Sequence, residues 1–194
     1  MSQVKKPAVE EAILAAADRL FRKAGYAGTT MSAIARESRV STANIYSYFG
    51  SKLHLLFAVY APWLGAQLDQ MELAVRRETE PRARIETLLR WMWYEIPARD
   101  NFFSNNLLQA VSTAHPEDHY SDSFLGVCQA RVAALLREIG IGERDASHIA
   151  FTLWMAFDGF SVKTRIEFSP PPSGIIQAMT TGILALMVRE PEKI

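Results

Sequence analysis

Apolar side chains recur along this chain with a period near 3.6 residues almost from end to end, the mark of helices that each bury one face. Val9, Ala12, Ile13, Ala16, Ala17, Leu20, Phe21 and Ala24 predict a first helix from about Ala8 to Ala24. Pro7 stands at its start, where a missing N–H costs little, and Gly25 stops it. Two short helices follow. The stretch Thr30 to Glu37 carries a small apolar face of Met31, Ile34 and Ala35, and Thr42 to Tyr48 carries Ile45, four residues before Phe49. Thr30 caps the first of these and Ser41 or Thr42 the second, each hydroxyl accepting from an early backbone N–H. Ser38-Arg39-Val40 is the turn between them. Isolated helices under about 12 residues are marginal in water, so this pair needs the first helix to pack on. A short polar helix presented on such a frame over residues 30–49 is a helix-turn-helix, a shape that enters the major groove of DNA.

Beyond Gly50-Ser51 the pattern lengthens. Leu53, Leu56, Phe57, Tyr60, Leu64, Leu68, Met71 and Val75 predict a helix from about Lys52 to Arg77, kinked at Pro62. Further helices are expected from about Arg82 to Ile96, where Pro97 breaks the run, and over Asn101–Thr113, Tyr120–Ile139, Arg144–Phe168 and Gly174–Arg189. No alternating strand pattern of useful length occurs. The expected fold is all-α, about nine helices in all: a three-helix N-terminal head over residues 1–51 and a helical body over 52–194.

Charge changes the picture. The chain of 194 residues balances 21 basic against 21 acidic side chains. Residues 1–54 nevertheless carry eight basic and four acidic side chains, a net +4, and the other 140 carry 13 and 17, a net −4. A basic head on an acidic body suits a polyanion-binding end joined to a part that stays off the polyanion. The single cysteine, Cys128, rules out a disulfide within the chain and points to a reducing compartment. Glu10, Glu11 and Asp18 interrupt the one apolar stretch that a signal peptide would need. The nearly uncharged run at 55–68 contains Pro62 and falls short of a membrane span of about 20 residues. A cytoplasmic protein is expected.

Catalytic chemistry finds little support. No phosphate loop and no nucleophile–base pair at a recognisable spacing is present. His115, Glu117, Asp118, His119 and Asp122 bring metal-ligand types together on a Pro-containing turn, without a recognised ligand geometry. Neither an enzyme, a metal nor a cofactor is expected.

The sequence AADRLFRKAGYAGTT, followed by MSAIARESRVSTANIYSYFGSKLHLL, resembles the DNA-binding head of the TetR (tetracycline-repressor) family of transcriptional regulators. The shared pattern falls on Leu20-Phe21, Gly25-Tyr26, Thr29-Thr30, Ile34-Ala35, Val40-Ser41, Tyr46, Phe49, Lys52 and Leu55, and covers roughly residues 8–56. Two positions depart from it: Arg39 stands where the family usually has a turn glycine, and Ala43 where it often has glycine. A left-handed Arg39 would cost on the order of 1 kcal/mol relative to glycine and would bring a cation beside the recognition helix.

The resemblance implies roles. Thr30, Ser32, Tyr48 and Lys52 match positions that usually hold phosphates. Ser41, Thr42, Ala43 and Asn44 form the exposed start of the recognition helix, where the Asn44 amide suits bidentate reading of adenine and the Ala43 methyl suits a thymine methyl. Tyr46 is expected on backbone or base, and Arg39 near a phosphate. Ala156-Phe157-Asp158-Gly159-Phe160 is similar to a segment of the family's penultimate helix, which with the last helix forms its dimer interface. Gly159, Ile175, Ile176, Met179, Ile183, Leu186 and Met187 are the expected interface positions. The family's effector pockets lie within the body. Trp63, Trp91, Met92, Tyr94, Phe102, Phe103, Cys128, Trp154 and Asp158 are the candidate lining for a small apolar or aromatic effector, each also fit for ordinary core. The implied protein is a repressor that binds a palindromic double-stranded operator as a homodimer. The rival readings are a helical interaction protein and an activator without an effector.

Overall fold

The computed structural model describes residues 6–99, 102–113, 122–167 and 171–187. Among these every regular element is helical: α1 (Pro7–Gly28), α2 (Met31–Ser38), α3 (Thr42–Tyr48), α4 (Lys52–Arg77), α5 (Pro81–Arg90), α6 (Ile96–Ala98), α7 (Phe103–Thr113), α8 (Asp122–Ile139), α9 (Glu143–Glu167) and α10 (Ser173–Met187). A π-helical turn, Trp91–Glu95, joins α5 to α6. Counting Pro81–Ala98 as one rod, the described residues hold nine, the number expected.

Local chemistry sets most helix ends where the sequence places them. The Thr30 hydroxyl accepts the Ala33 N–H at 3.1 Å and the Ser41 hydroxyl accepts the Asn44 N–H at 3.2 Å, so each satisfies an otherwise orphaned donor. Gly25 ends the regular run of α1 at φ +72°, a conformation that side chains disfavour, and a short turn through Gly28 completes the element. One expectation about proline needs correction. The helix continues past Pro97 to Ala98 instead of breaking there, because the wider π turn precedes it: the Ile96 N–H reaches back five residues to the Trp91 carbonyl, and Pro97 enters at the start of the next short helix, where its missing N–H matters least. At Pro62, α4 is helical without interruption.

The chain packs as two compact units. The first comprises residues 6–64 with the segment carrying α7 (to Phe124). Ile13, Ala16, Phe21, Ile34, Ile45, Phe49, Leu56 and Phe57 form its core, joined by Phe103 and Ala110 of α7. Tyr60 and Phe103 rings sit 5.0 Å apart. The second comprises residues 65–99 with 125–187. Its buried side chains include Leu68, Met71, Ile85, Leu88, Met92, Trp93, Val132, Leu136, Leu153 and Phe157. Here α9 packs on the π turn and on α6, and α10 packs on α5. Trp93 stacks on Phe160 with ring centres 4.9 Å apart.

Candidate nucleic-acid interface

Helix α3 is a seven-residue helix whose inner side is Ile45, fully buried, and whose outer side is polar. Ser41, Ala43 and Tyr46 are exposed, and Thr42 and Asn44 are half-buried. The Ser47 hydroxyl donates to the Asn44 carbonyl at 2.6 Å and lies 3.2 Å from its Oδ1. Thr30 and Ser32 are exposed at the start of α2. These residues share the outward side of one rigid turn-linked pair, an arrangement that can bring hydroxyls and an amide to phosphates and base edges.

Arg39 closes the turn between α2 and α3. It is left-handed (φ 57°, ψ 33°), and the Val40 N–H returns to the Ala35 carbonyl at 3.0 Å, the six-to-one bond that terminates helices whose next residue is left-handed. The Arg39 side chain is exposed.

Two expected contacts are placed differently from the rest. Tyr48 is buried, and its hydroxyl accepts the Lys6 backbone N–H at 2.8 Å. The Lys52 ammonium donates to the Tyr26 and Thr29 carbonyls, both at 2.9 Å, and sits 4.0 Å over the Tyr26 ring. It therefore caps the C-terminal end of α1 with a cation, where the helix dipole favours one, and partial burial lowers its pKa.

Sequence reasoning missed the contribution of α7 to this unit. Gln109 Oε1 accepts the Ala27 N–H at 3.0 Å, across 82 residues of sequence. Asn106 Nδ2 donates to the Tyr60 hydroxyl at 3.1 Å. No local signal announces either bond, since each partner is an ordinary helical residue until the fold brings it there.

The expected effector residues divide between the two units. Trp63, Phe102 and Phe103 belong to the first unit, Phe103 as core and Phe102 largely exposed. Trp91, Met92, Tyr94, Cys128, Trp154 and Asp158 belong to the second. Trp154 stacks on Phe157, and the Arg99 guanidinium lies 4.6 Å over the Trp91 ring. Burial pushes the Asp158 carboxyl up to about 6 and the Cys128 thiol up to about 11. Two cavities are evident in the second unit. One of about 270 Å³ runs between α9 and α10, with Ile149, Leu153, Met179, Ile183 and Leu186 in its wall. The other, about 350 Å³, is more polar and includes Glu78, Glu86, Arg90 and Gln177. None of the nine expected pocket residues lines either.

Of the expected interface positions, Ile175 and Gly159 are exposed, Ile176, Met179, Leu186 and Met187 half-buried, and Ile183 buried within the single chain. Met187 turns inward: its Cε lies 3.0 Å from where a Cβ on Gly140 would stand. Apolar side chains are also open on α9, where Phe151 is 54% exposed, Met155 46% and Ile166 74%. His115, Glu117, Asp118 and His119 lie outside the described residues, and Asp122 opens α8. Among the described residues no helix is long and apolar enough to cross a membrane, and no group of three metal-ligating side chains gathers.

A capped pair of short helices held on a longer one, with the second short helix turned outward, is a helix-turn-helix. Residues 13–59 match the family described as "Bacterial regulatory proteins, tetR family", so this segment of the chain is similar to that family. It is similar to the HTH-type transcriptional regulator HbdR of Aromatoleum sp. (strain CIB), 40% identical over 82 residues. That match covers 42% of this chain and spans about a third (34%) of the relative's length. The fold is shared with the transcriptional regulator FadR from Bacillus subtilis, solved in complex with stearoyl-CoA, at a TM-score of 0.55 and 17% identity over 92% of this chain and 97% of that one. It is shared too with BioQ, solved with its double-stranded DNA operator, at a TM-score of 0.57 and 20% identity over 91% and 98%.

Proposed function

We propose that this protein represses transcription by binding a palindromic operator as a homodimer, and that a small apolar or aromatic effector releases it. The observation that carries the reading is the outward face of α2 and α3, with Thr30, Ser32, Ser41, Thr42, Ala43, Asn44 and Tyr46 on a frame locked by caps at both helix starts. Asn44 reads adenine, Ala43 meets a thymine methyl, and the hydroxyls and Arg39 hold phosphates. Tyr48 and Lys52 act chiefly as braces behind that face, and Lys52 adds its charge to the field of the head. The functional boundary lies near residue 51, with residues 52–194 serving dimerisation and effector binding.

Dimerisation is supported by α9. Phe151 and Met155 lie four apart on one side, and Gly159, four further on, has nothing within 4 Å of the place a Cβ would occupy. Three apolar side chains about half or more in water on one helix favour a covering partner. A second copy with its own α9 and α10 suits the two-fold symmetry of a palindrome. The aromatic side chains of the body, with Asp158 among them, support an effector with an apolar or aromatic group, and stearoyl-CoA bound to FadR is a precedent for an apolar one in this fold. Effector binding would favour a body conformation in which α4 sets two heads at a spacing the operator does not match. A reducing cytoplasm suits both the DNA target and the unpaired Cys128.

A gel shift against palindromes from the protein's own promoter region tests the reading. One retarded band of a dimer on one duplex, competed by that duplex and not by unrelated DNA, is expected. Binding of equal strength to every duplex would sink the operator claim.

A further inference from the structure

Helix α7 lies in the second half of the sequence, yet it packs with the head in the first compact unit. One polar tie to the head is Gln109, whose Oε1 accepts the Ala27 N–H at 3.0 Å. Ala27 sits in the turn between the regular part of α1 and the start of α2, the turn that ends on the Thr30 cap. Gly25 opens that turn at φ +72°, and a Cβ placed there would lie 2.6 Å from the same Oε1 and 3.0 Å from Nε2. Glycine is favoured here by its backbone, and a side chain at this position would also have to displace the Gln109 amide. On the other side of the turn Thr29 donates its hydroxyl to the Gly25 carbonyl at 2.7 Å, and the Lys52 ammonium holds the Tyr26 and Thr29 carbonyls. The carbonyls of the turn are fixed by the head's own residues, and the Ala27 N–H is fixed by α7. A second tie runs parallel to it, the Arg22 guanidinium lying 6.0 Å over the ring of Phe102 at the start of α7.

We propose that Gln109 is a positioning residue for DNA binding: through Ala27 it sets the angle at which α1 delivers the α2–α3 pair. The inference rests on the operator-binding reading and goes beyond it by assigning a residue outside residues 1–60 to the geometry of the reading head. Gln109 touches no DNA. It acts by holding one turn, so its loss broadens the orientations of α3 and lowers discrimination between operator and other DNA more than it lowers global stability.

The full-length chain is used to enrich a duplex from a random-sequence pool. Affinities for the enriched duplex and for an unrelated duplex of equal length are then measured at one salt concentration. Gln109→Met, which keeps the shape and removes the acceptor, is expected to lower the specific-to-unspecific ratio roughly three- to fivefold and to speed amide exchange at Ala27. Gln109→Glu keeps the acceptor. Its added charge weakens both duplexes alike, so the ratio and the Ala27 protection are expected to stay as in the wild type. A ratio unchanged in Gln109→Met overturns the proposal, as does a fall in ratio no larger than the accompanying fall in urea-unfolding stability, which would mark a merely structural residue. If the wild-type chain enriches no duplex, the operator reading falls and this inference with it; if it enriches one and the ratio holds in Gln109→Met, this inference alone falls.

Discussion

Polar side chains do different work in the two units. In the first many aim at the backbone, beside a few side-chain pairs such as Arg22 with Asp18. Thr30, Ser41 and Gln109 accept from main-chain N–H groups, Thr29 and Lys52 donate to main-chain carbonyls, and the result fixes short segments that their own length cannot stabilise. In the second they aim at one another. Arg131 joins Asp69 and Glu72, Arg76 joins Glu72 and Glu138, and Arg84 joins Glu138, tying α4, α5 and α8 through a chain of charges. The Arg76 guanidinium holds the Glu138 carboxyl below the usual carboxylate range. Asp69, Arg76 and Glu138 are well exposed, so the pairs they make contribute little alone. A unit of long helices has apolar rods to hold it and needs only register from its charges. A unit of seven- and eight-residue helices needs every terminus closed.

The sharpest way to break that contrast is at the exposed side of α9. Phe151→Glu adds a charge to an open apolar face and is expected to leave the fold intact. Light scattering should then report a monomer, with operator affinity down on the order of a hundredfold, because two linked heads are replaced by one. A dimer that persists would place the seam elsewhere. Next in size is Lys52→Met. It removes two charge-assisted bonds from the end of α1 and should cost about 1–2 kcal/mol in urea unfolding. The salt slope of DNA binding should change by less than about one unit; a full unit lost would make Lys52 a phosphate contact instead.

A smaller effect is expected at Asp158. Its folded-state pKa is raised to about 6 by burial, so the folded chain binds more protons than the unfolded one between the ordinary carboxylate range and pH 6. Stability therefore falls as pH rises through that window. Asp158→Asn should flatten that dependence and raise the pH 7 melting temperature by about 2–4 °C. A pH profile identical to the wild type would remove the carboxyl from the account. Smallest is Arg39→Gly, which relieves the left-handed conformation and should stabilise the head by up to about 1 kcal/mol. It should also lower the salt slope by about one unit, and an unchanged slope would show that Arg39 faces away from DNA.

The contrast also explains what was legible beforehand. The end of α1 and the starts of α2 and α3 were readable because Gly25, Thr30 and Ser41 set them through neighbours a few residues away. Arg39 was readable as a strained turn for the same reason, and the structure finds it left-handed. Non-local partners were not readable. Phe103 looked like pocket lining and became head core, since composition cannot say which of two cores an apolar side chain joins. Gln109 carried no signal at all. On the last two helices the apolar pattern does not separate inward from open positions: Ile183 of α10 is buried and Ile175 exposed, and Phe151, Met155 and Ile166 of α9 are exposed too. A wide apolar stripe shows that a helix is covered, not by what.

The π turn at Trp91–Glu95 has a consequence for how this chain tolerates change in length. Its five-residue hydrogen-bonded loop holds one residue more than an α-helical turn. Each residue of an α-helix turns the following side chains by about 100°. Removing one residue between Trp91 and Glu95 would return the turn to ordinary α periodicity and leave Ile96 and Pro97, both buried, facing as they do. Removing one from the regular turns of α5 would instead rotate them by about 100°, away from the contact α6 makes with α9. The segment therefore works as slack in the rod, the one place where a residue can be lost without changing the register downstream.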